Sequence, residues 1–388
     1  MATNTDVVIV GGGPAGLAVA ACLARRGIPY VVLERGESVA TSWASYYDKL
    51  RLHTVRVLSG LPYRPMPASY PRFPTRDQVV AYLRDYAARL RLNIRTGHEV
   101  RQALRAEDCW MVESPVGDYH ARALVMATGI YGNPIQPHVP EMERFGGRVL
   151  HSAAYRNAAP FAGQRVLVVG SGNSGAEIAL DLASQAARVD VSIRNGVNTV
   201  PLQLLGVPIQ RWAILVSRLP RPVTDVLAPT LLRRSETRLR AAGIPKSPVG
   251  VLAGGEGKIP VIGLGLIEAV RAGRIAIRPG IERCTEDGVR FVDGAAHAYD
   301  AVVLATGFRP ALGPLGEAVT LDARGFPMRA GFHGTQSADY PNLFFAGMNY
   351  GFAGTLNNIR QEAPALATGL AVALRQRVAV GAAVWATV

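Results

Sequence analysis

Asp6–Arg35 reads DVVIVGGGPAGLAVAACLARRGIPYVVLER, and Gln164–Arg194 reads QRVLVVGSGNSGAEIALDLASQAARVDVSIR. Both have the same parts in the same order: a continuous apolar run, a Gly-x-Gly-x-x-Gly turn, a helical stretch rich in small residues, and a second apolar run. Apolar runs without alternation are what parallel strands buried on both faces require. Gly27 supplies the helix stop in the first copy. A chain that carries this unit twice is confined to the α/β class, with two parallel-stranded sheets. Its 388 residues are enough for two domains, each with its own core.

The glycine turns carry a specific chemistry. Gly11 permits the tight turn, Gly13 lets a pyrophosphate approach the backbone, and Gly16 lets helix and strand pack closely. Pro14 and Ala15 open a helix whose free N–H groups and positive dipole end face the phosphates. Glu34, with Arg35 beside it, ends the second strand, where a carboxylate accepts hydrogen bonds from ribose hydroxyls. Gly170, Gly172 and Gly175 repeat the turn, but Arg194 stands where Glu34 stood. A carboxylate there would repel a 2′-phosphate, whereas a guanidinium holds it in a bidentate grip. Such charge-assisted bonds are worth about 1.5–3 kcal/mol each. The expectation is therefore FAD on the first loop and NADPH, in preference to NADH, on the second. The fold expected is two dinucleotide-binding Rossmann-like domains. Hydride then passes from nicotinamide to flavin. Cys22, Cys109 and Cys284 lie far apart in sequence and form no dithiol or metal-site spacing. Oxygen is the natural remaining acceptor.

Three further segments end apolar runs in glycine turns: Ala121–Pro134 and Asp300–Pro310, each with Ala-Thr-Gly, and Asn342–Thr355, with Gly347. Their order suggests that the NADPH domain is inserted into the FAD domain. Residues 1–158 would begin the FAD domain, 159–298 would form the NADPH domain, and 299–388 would complete the first. A helical, amphipathic, Pro-broken insert is expected at about 201–245. It either lines a substrate channel or lies on a membrane surface. No uncharged apolar run reaches the ~18 residues of a membrane span. The N-terminus has no basic segment or cleavage site of a secretory signal, so a cytoplasmic location is expected. The net charge of +13 comes almost wholly from arginine. Those arginines are scattered without aromatic interleaving, which argues against nucleic acid and for a small-molecule partner. The oligomeric state stays open.

Phe145–Asn157, FGGRVLHSAAYRN, has the spacing F-x-G-x-x-x-H-x-x-x-Y, and reads as neither a good helix nor a regular strand. Together with both glycine loops and Leu304–Phe308, LATGF, it resembles the flavin-containing (class B) monooxygenases. Within that family the likeness is greater to the plant YUCCA-type indole-3-pyruvate monooxygenases and their bacterial relatives. It extends over LERGESVATSW through VVAYLRDYA, over SGNSGAEIALDLA, and over GKIPVIGLGLIEAVRAGRI. The resemblance implies a flavin C4a-(hydro)peroxide that passes one oxygen of O2 to a small organic substrate. A 2-oxo acid or ketone, reacting by oxidative decarboxylation or Baeyer–Villiger insertion, is favoured. Oxygenation at N or S, or an NADPH oxidase or reductase, is the alternative.

Residue roles follow from the same resemblance. His151 and Tyr155 would place NADP against the flavin. Trp43 would sit beside FAD, and His53, in LRLH, next to the isoalloxazine ring as the one candidate catalytic residue. Val100 would contact adenine. Thr128–Gly129 and Thr306–Gly307 would cross near the cofactors, and Asn173 and Ser174 would add donors to the NADPH pyrophosphate. The chain departs from the pattern after LRLH, where Thr54-Val55-Arg56 replaces Pro-Lys, and in the helical insert.

Overall fold

The computed structural model describes residues 2–107, 109–251, 260–349, 351 and 353–384. Gly257–Ile259 of the GKIPVIGLG segment, and Tyr350 and Phe352 in Asn342–Thr355, lie outside the described residues. In chain order the elements that matter here are β1 (Thr3–Val10), α1 (Pro14–Ala24), β2 (Tyr30–Leu33) and β3 (Tyr119–Met126). They continue with β4 (Arg148–His151), β5 (Arg165–Val169), α2 (Asn173–Leu182), β6 (Arg188–Ser192) and β7 (Ala276–Arg278). The last are β8 (Ala301–Leu304), β9 (Leu343–Phe345) and α3 (Thr355–Val384).

Two compact units emerge. The first comprises Met1–Ser45, Thr54–Asn133 and Phe308–Val388. Its central strands run β9-β3-β1-β2 and are all parallel, with Val10 in register with both Leu33 and Met126. Val7, Val8 and Ile9 are fully buried, which explains the unbroken apolar run in β1. Helix α1 starts at Pro14, where a missing N–H costs nothing, and buries every residue from Ala15 to Leu23. This accounts for a helix with no polar face.

The second unit comprises Tyr46–His53 and Pro134–Gly307. Its five-stranded sheet has the order β7-β6-β5-β8-β4, again all parallel. Val166, Val168, Ile178, Leu182 and Val191 form its core with Leu266 and Val303.

The unit boundaries differ from those read in the sequence. They fall at 133/134 and 307/308, not at 158/159 and 298/299. The reason is hydrogen bonding: β8 pairs with β5 on one side and β4 on the other, with Leu304 opposite both Val169 and His151. The Phe145–Asn157 segment thus contributes an edge strand of the second sheet rather than a link. Its F-x-G spacing is steric. A Cβ at Gly147 would lie 2.5 Å from the Phe145 ring and 2.6 Å from Asp300 O. Tyr46–His53 is the other difference, because the chain leaves the first unit for eight residues and then returns to it. The insert is a hairpin (Gln203–Leu204 with Val207–Pro208) followed by helices Ile209–Val216 and Arg221–Ala241. Among the described residues no helix is long and apolar enough to cross a membrane.

Candidate functional site

The first glycine loop turns from β1 into α1. Gly11 has φ +110, and a Cβ there would lie 2.6 Å from Ala127 O. At Gly16 it would lie 2.0 Å from Gly11 O, whereas at Gly13 it would meet nothing within 4 Å. Two glycines are thus demanded by the fold, and the third keeps open the side where a phosphate would come. Glu34, buried at the end of β2, accepts from Gly12 N–H at 2.7 Å and from Gly36 N–H at 2.9 Å. Each carboxylate oxygen keeps acceptor capacity beyond these bonds. The Thr128 hydroxyl is buried and has no hydrogen-bond partner among the described residues. Gly129 follows it with φ +78. A Cβ on Gly347 would lie 2.7 Å from the Ala15 Cβ, so the Gly347 turn abuts the start of α1. The Gly347 N–H donates to buried Glu362, whose other oxygen accepts from Asn349 Nδ2 at 2.6 Å. Burial pushes the Glu362 carboxyl up from its usual range, against those two bonds. Trp43, in the short helix Thr41–Ala44, is half-buried, and Arg35 is exposed. Val100 packs in the same apolar cluster as Val10 and Leu33. An open glycine cradle, a buried carboxylate at the strand end and an unpartnered hydroxyl fit FAD.

The second loop has the same geometry on different strands. Gly170 has φ +107 and a Cβ there would lie 2.5 Å from Ala305 O. At Gly175 it would lie 2.1 Å from Gly170 O, and at Gly172 it would again meet nothing within 4 Å. Arg194, past the end of β6, is exposed and has no ion pair or hydrogen bond among the described residues, so its guanidinium is available to a 2′-phosphate. The Asn173 side chain is already engaged. Its Nδ2 donates to Pro260 O at 3.2 Å and its Oδ1 accepts from Ile262 N–H at 2.8 Å. Thr306 donates to Ile135 O at 2.6 Å, and Gly307 follows with φ +92. Thus only one of the two Ala-Thr-Gly hydroxyls is left over. A glycine cradle with a free guanidinium fits NADPH.

His151 closes β4. Its Nδ1 accepts from Ala153 N–H at 3.1 Å. Burial holds its imidazole below the ordinary value, with the Gly307 backbone opposing. The Tyr155 hydroxyl donates to Asp181 on α2 at 2.7 Å, and its ring stacks on Phe161. Both residues tie strand ends to the loop and helix that would carry the nucleotide.

Sequence reasoning set His53 beside the flavin ring. In the structure its Nε2 pairs with the Glu177 carboxylate on α2. Tyr47, buried in the core of the second unit, donates to the other Glu177 oxygen at 2.7 Å. Lys49 meets Asp181 at 2.7 Å. The sequence reading missed Tyr47, Lys49, Glu177 and Asp181. Their signal was present as two acids spaced i, i+4 on one helix face. Among the described residues no cluster of His, Cys, Asp and Glu could hold a metal ion.

Comparisons with known proteins bear on this geometry. The family described as pyridine nucleotide-disulphide oxidoreductase matches residues 8–203. Indole-3-pyruvate monooxygenase YUCCA1 of Oryza sativa subsp. japonica is 38% identical over 309 residues, spanning 78% of this chain and 76% of the relative. The probable indole-3-pyruvate monooxygenase YUCCA4 of Arabidopsis thaliana is 35% identical over 308 residues, spanning 78% and 75%. A flavin-containing monooxygenase from Stenotrophomonas maltophilia superposes with a TM-score of 0.74 at 26% identity, covering 95% of this chain and 99% of the other. A steroid monooxygenase bound to NADP shares the fold, with a TM-score of 0.73 at 21% identity over 95% of this chain and 85% of that one. The chain belongs to the YUCCA-type flavin monooxygenases: it is an FAD- and NADPH-dependent enzyme that inserts one oxygen atom of O2 into a small organic molecule.

Proposed function

We propose that the substrate is a small carbonyl compound, a 2-oxo acid in the first place, which the enzyme decarboxylates oxidatively. The observation that carries this reading is the 38% identity, over 309 residues, to a relative named for indole-3-pyruvate. Bound FAD, with NADPH as its reductant, would supply the oxygen chemistry. The protein's part is placement. Gly11, Gly13 and Gly16, with Pro14 and Ala15 opening α1, would hold the FAD diphosphate, and Glu34 its ribose. Arg35, Trp43, Val100, Thr128, Gly129 and Gly347 would complete that site, with the Thr128 hydroxyl free to bond the cofactor. Gly170, Gly172, Asn173, Ser174, Gly175 and Arg194 would hold NADPH. His151, Tyr155, Thr306 and Gly307 would brace that loop, and His53 would act through its partner Glu177. Arg56, at the departure from the family pattern, donates to the carbonyls of Ala68 and Tyr70, the latter at 2.7 Å. Through Nη1 it clamps a loop of the first unit. Because the chain departs from the family pattern here, the indole substrate of the relatives is not carried over. A cytoplasmic site of action accords with three unpaired cysteines.

The overall change is R–CO–COOH + O2 + NADPH + H+ giving R–COOH + CO2 + H2O + NADP+. The test supplies aryl and alkyl 2-oxo acids, amines and thioethers to the FAD-loaded enzyme under 18O2. Product is measured against NADPH consumed. One labelled oxygen in the shortened acid, with product matching NADPH, is the expected result. Labelled N-oxide or S-oxide as the sole coupled product would overturn the carbonyl reading. Hydrogen peroxide alone across all substrates would favour an oxidase.

A further inference from the structure

Strand β9 ends at Phe345, and Ala346 N–H still reaches the neighbouring strand end at Met126 O, 2.9 Å away. The next donor, Gly347 N–H, turns to a side chain instead, the carboxylate of Glu362 on α3. Glu362 is 3% exposed. An acid buried this deeply is tolerated only when its oxygens are used. Both are: Oε1 accepts from Gly347 N–H, and Oε2 accepts from Asn349 Nδ2 at 2.6 Å. The Asn349 amide is itself fully engaged. Its Nδ2 also donates to His333 O at 3.1 Å, and its Oδ1 accepts from Arg329 Nη1 at 3.0 Å. Glu362 and Arg329, of opposite charge type, thus stand on the two sides of one amide.

The turn held in this way touches the first nucleotide loop. Gly347 has φ +73, and a Cβ on it would lie 2.7 Å from the Cβ of Ala15, the second residue of α1. Ala15 lies two residues past Gly13, where a Cβ would meet nothing within 4 Å and the FAD diphosphate would come. No slack separates the turn from the start of that helix. A turn released from Glu362 would change its stand-off from the place where the cofactor is gripped.

We infer that Glu362 is a positioning residue for FAD: one carboxylate takes both the Gly347 N–H and the Asn349 amide, and so sets where the Gly347 turn stands against the start of α1. This rests on the reading of the Gly347 turn as part of the FAD site. Glu362 acts through that turn, from a helix some three hundred and forty residues beyond the glycine loop it serves. A glutamine at 362 can accept from only one of the two N–H groups and presents a donor to the other. One bond is then lost and the turn is no longer fixed at both points.

The test dilutes the holoenzyme in steps, with flavin fluorescence recording the FAD released, beside NADP+ titration of the FAD-loaded protein. Glu362→Gln and Asn349→Ala are each expected to weaken FAD binding about tenfold, with NADP+ affinity at the wild-type value. Arg26→Ala cuts a different anchor of α3, the bond from Arg26 Nη2 to Thr368 Oγ1 at 2.9 Å, and is expected to leave FAD affinity unchanged. If Glu362→Gln holds FAD within about twofold of wild type, the inference is wrong. A loss in Arg26→Ala as large as in Glu362→Gln would also overturn it, because any loosening of α3 would then suffice. So would an equal loss of NADP+ affinity in Glu362→Gln, which would mark a general defect of folding. Gly347→Ala, with its methyl group driven against Ala15, addresses the underlying reading and is expected to lose FAD. Wild-type FAD affinity in Gly347→Ala would overturn the reading of the turn, and this inference with it. FAD lost there but retained by Glu362→Gln would overturn the inference alone. Should Glu362→Gln fail to fold, Asn349→Ala decides.

Discussion

Two side chains carry predictions of opposite kinds at the residue scale. Arg194 is exposed and free of any ion pair among the described residues, so its removal should cost the fold nothing. Arg194→Ala should lose about 10- to 100-fold in the preference of flavin reduction for NADPH over NADH, the worth of a charge-assisted bond. Stopped-flow reduction with each nucleotide measures it, and an unchanged ratio would mean that the 2′-phosphate is held elsewhere. His151 is buried and structural. Burial lowers its pKa in the folded state, so above about pH 6.5 both states hold it neutral. As pH falls below that value the unfolded chain binds the proton first, and stability is lost. The Tm gap between wild type and His151→Gln should therefore narrow from about pH 7.5 to about pH 5.5. A gap independent of pH would place the shift on other groups. The glycine turns and the strand-end place of Glu34 could be read from the sequence because they depend on local backbone geometry. The partner of His53 could not, since Glu177 lies 124 positions further along and only the fold brings the two together.

Elements explain why each loop needs three glycines and why they are not alike. Gly175 lets α2 touch the turn, and a Cβ there would lie 2.1 Å from Gly170 O. Gly172 faces open space, with nothing within 4 Å. Gly175→Ala should therefore lower stability by about 1–3 kcal/mol or fail to fold, as overpacked sites do. Gly172→Ala should keep the wild-type Tm and still lose NADP+ binding, because its methyl group would occupy the phosphate's place. Calorimetric melting alongside NADP+ titration separates the two. Equal Tm losses would show that both glycines serve packing alone. Both βαβ units were legible here, because period and glycine spacing are short-range. The strand Arg148–His151 was not. Its partner strands come from Arg165–Val169 and Ala301–Leu304, and pairing across such separations leaves no local periodicity in Phe145–Asn157.

A whole-molecule property, the net charge of +13, meets a ligand that is a polyanion. Such a charge raises the encounter rate, and salt screens it. The association rate of NADPH should fall several-fold between about 20 and about 200 mM salt, with a much smaller change in dissociation. Stopped-flow binding at several ionic strengths would show this, and a flat association rate would mean that the scattered arginines produce no field at the site. At this scale the sequence by itself determined the α/β class, the two dinucleotide loops, the acid at one strand end and the arginine at the other. All follow from patterns within about thirty residues, which local backbone chemistry enforces. Tertiary structure alone decided that residues 134–307 and Tyr46–His53 form one unit, and that His53 answers Glu177. Sheet order and side-chain pairing between distant segments are set by the packing of the whole core, and no window of the sequence contains them.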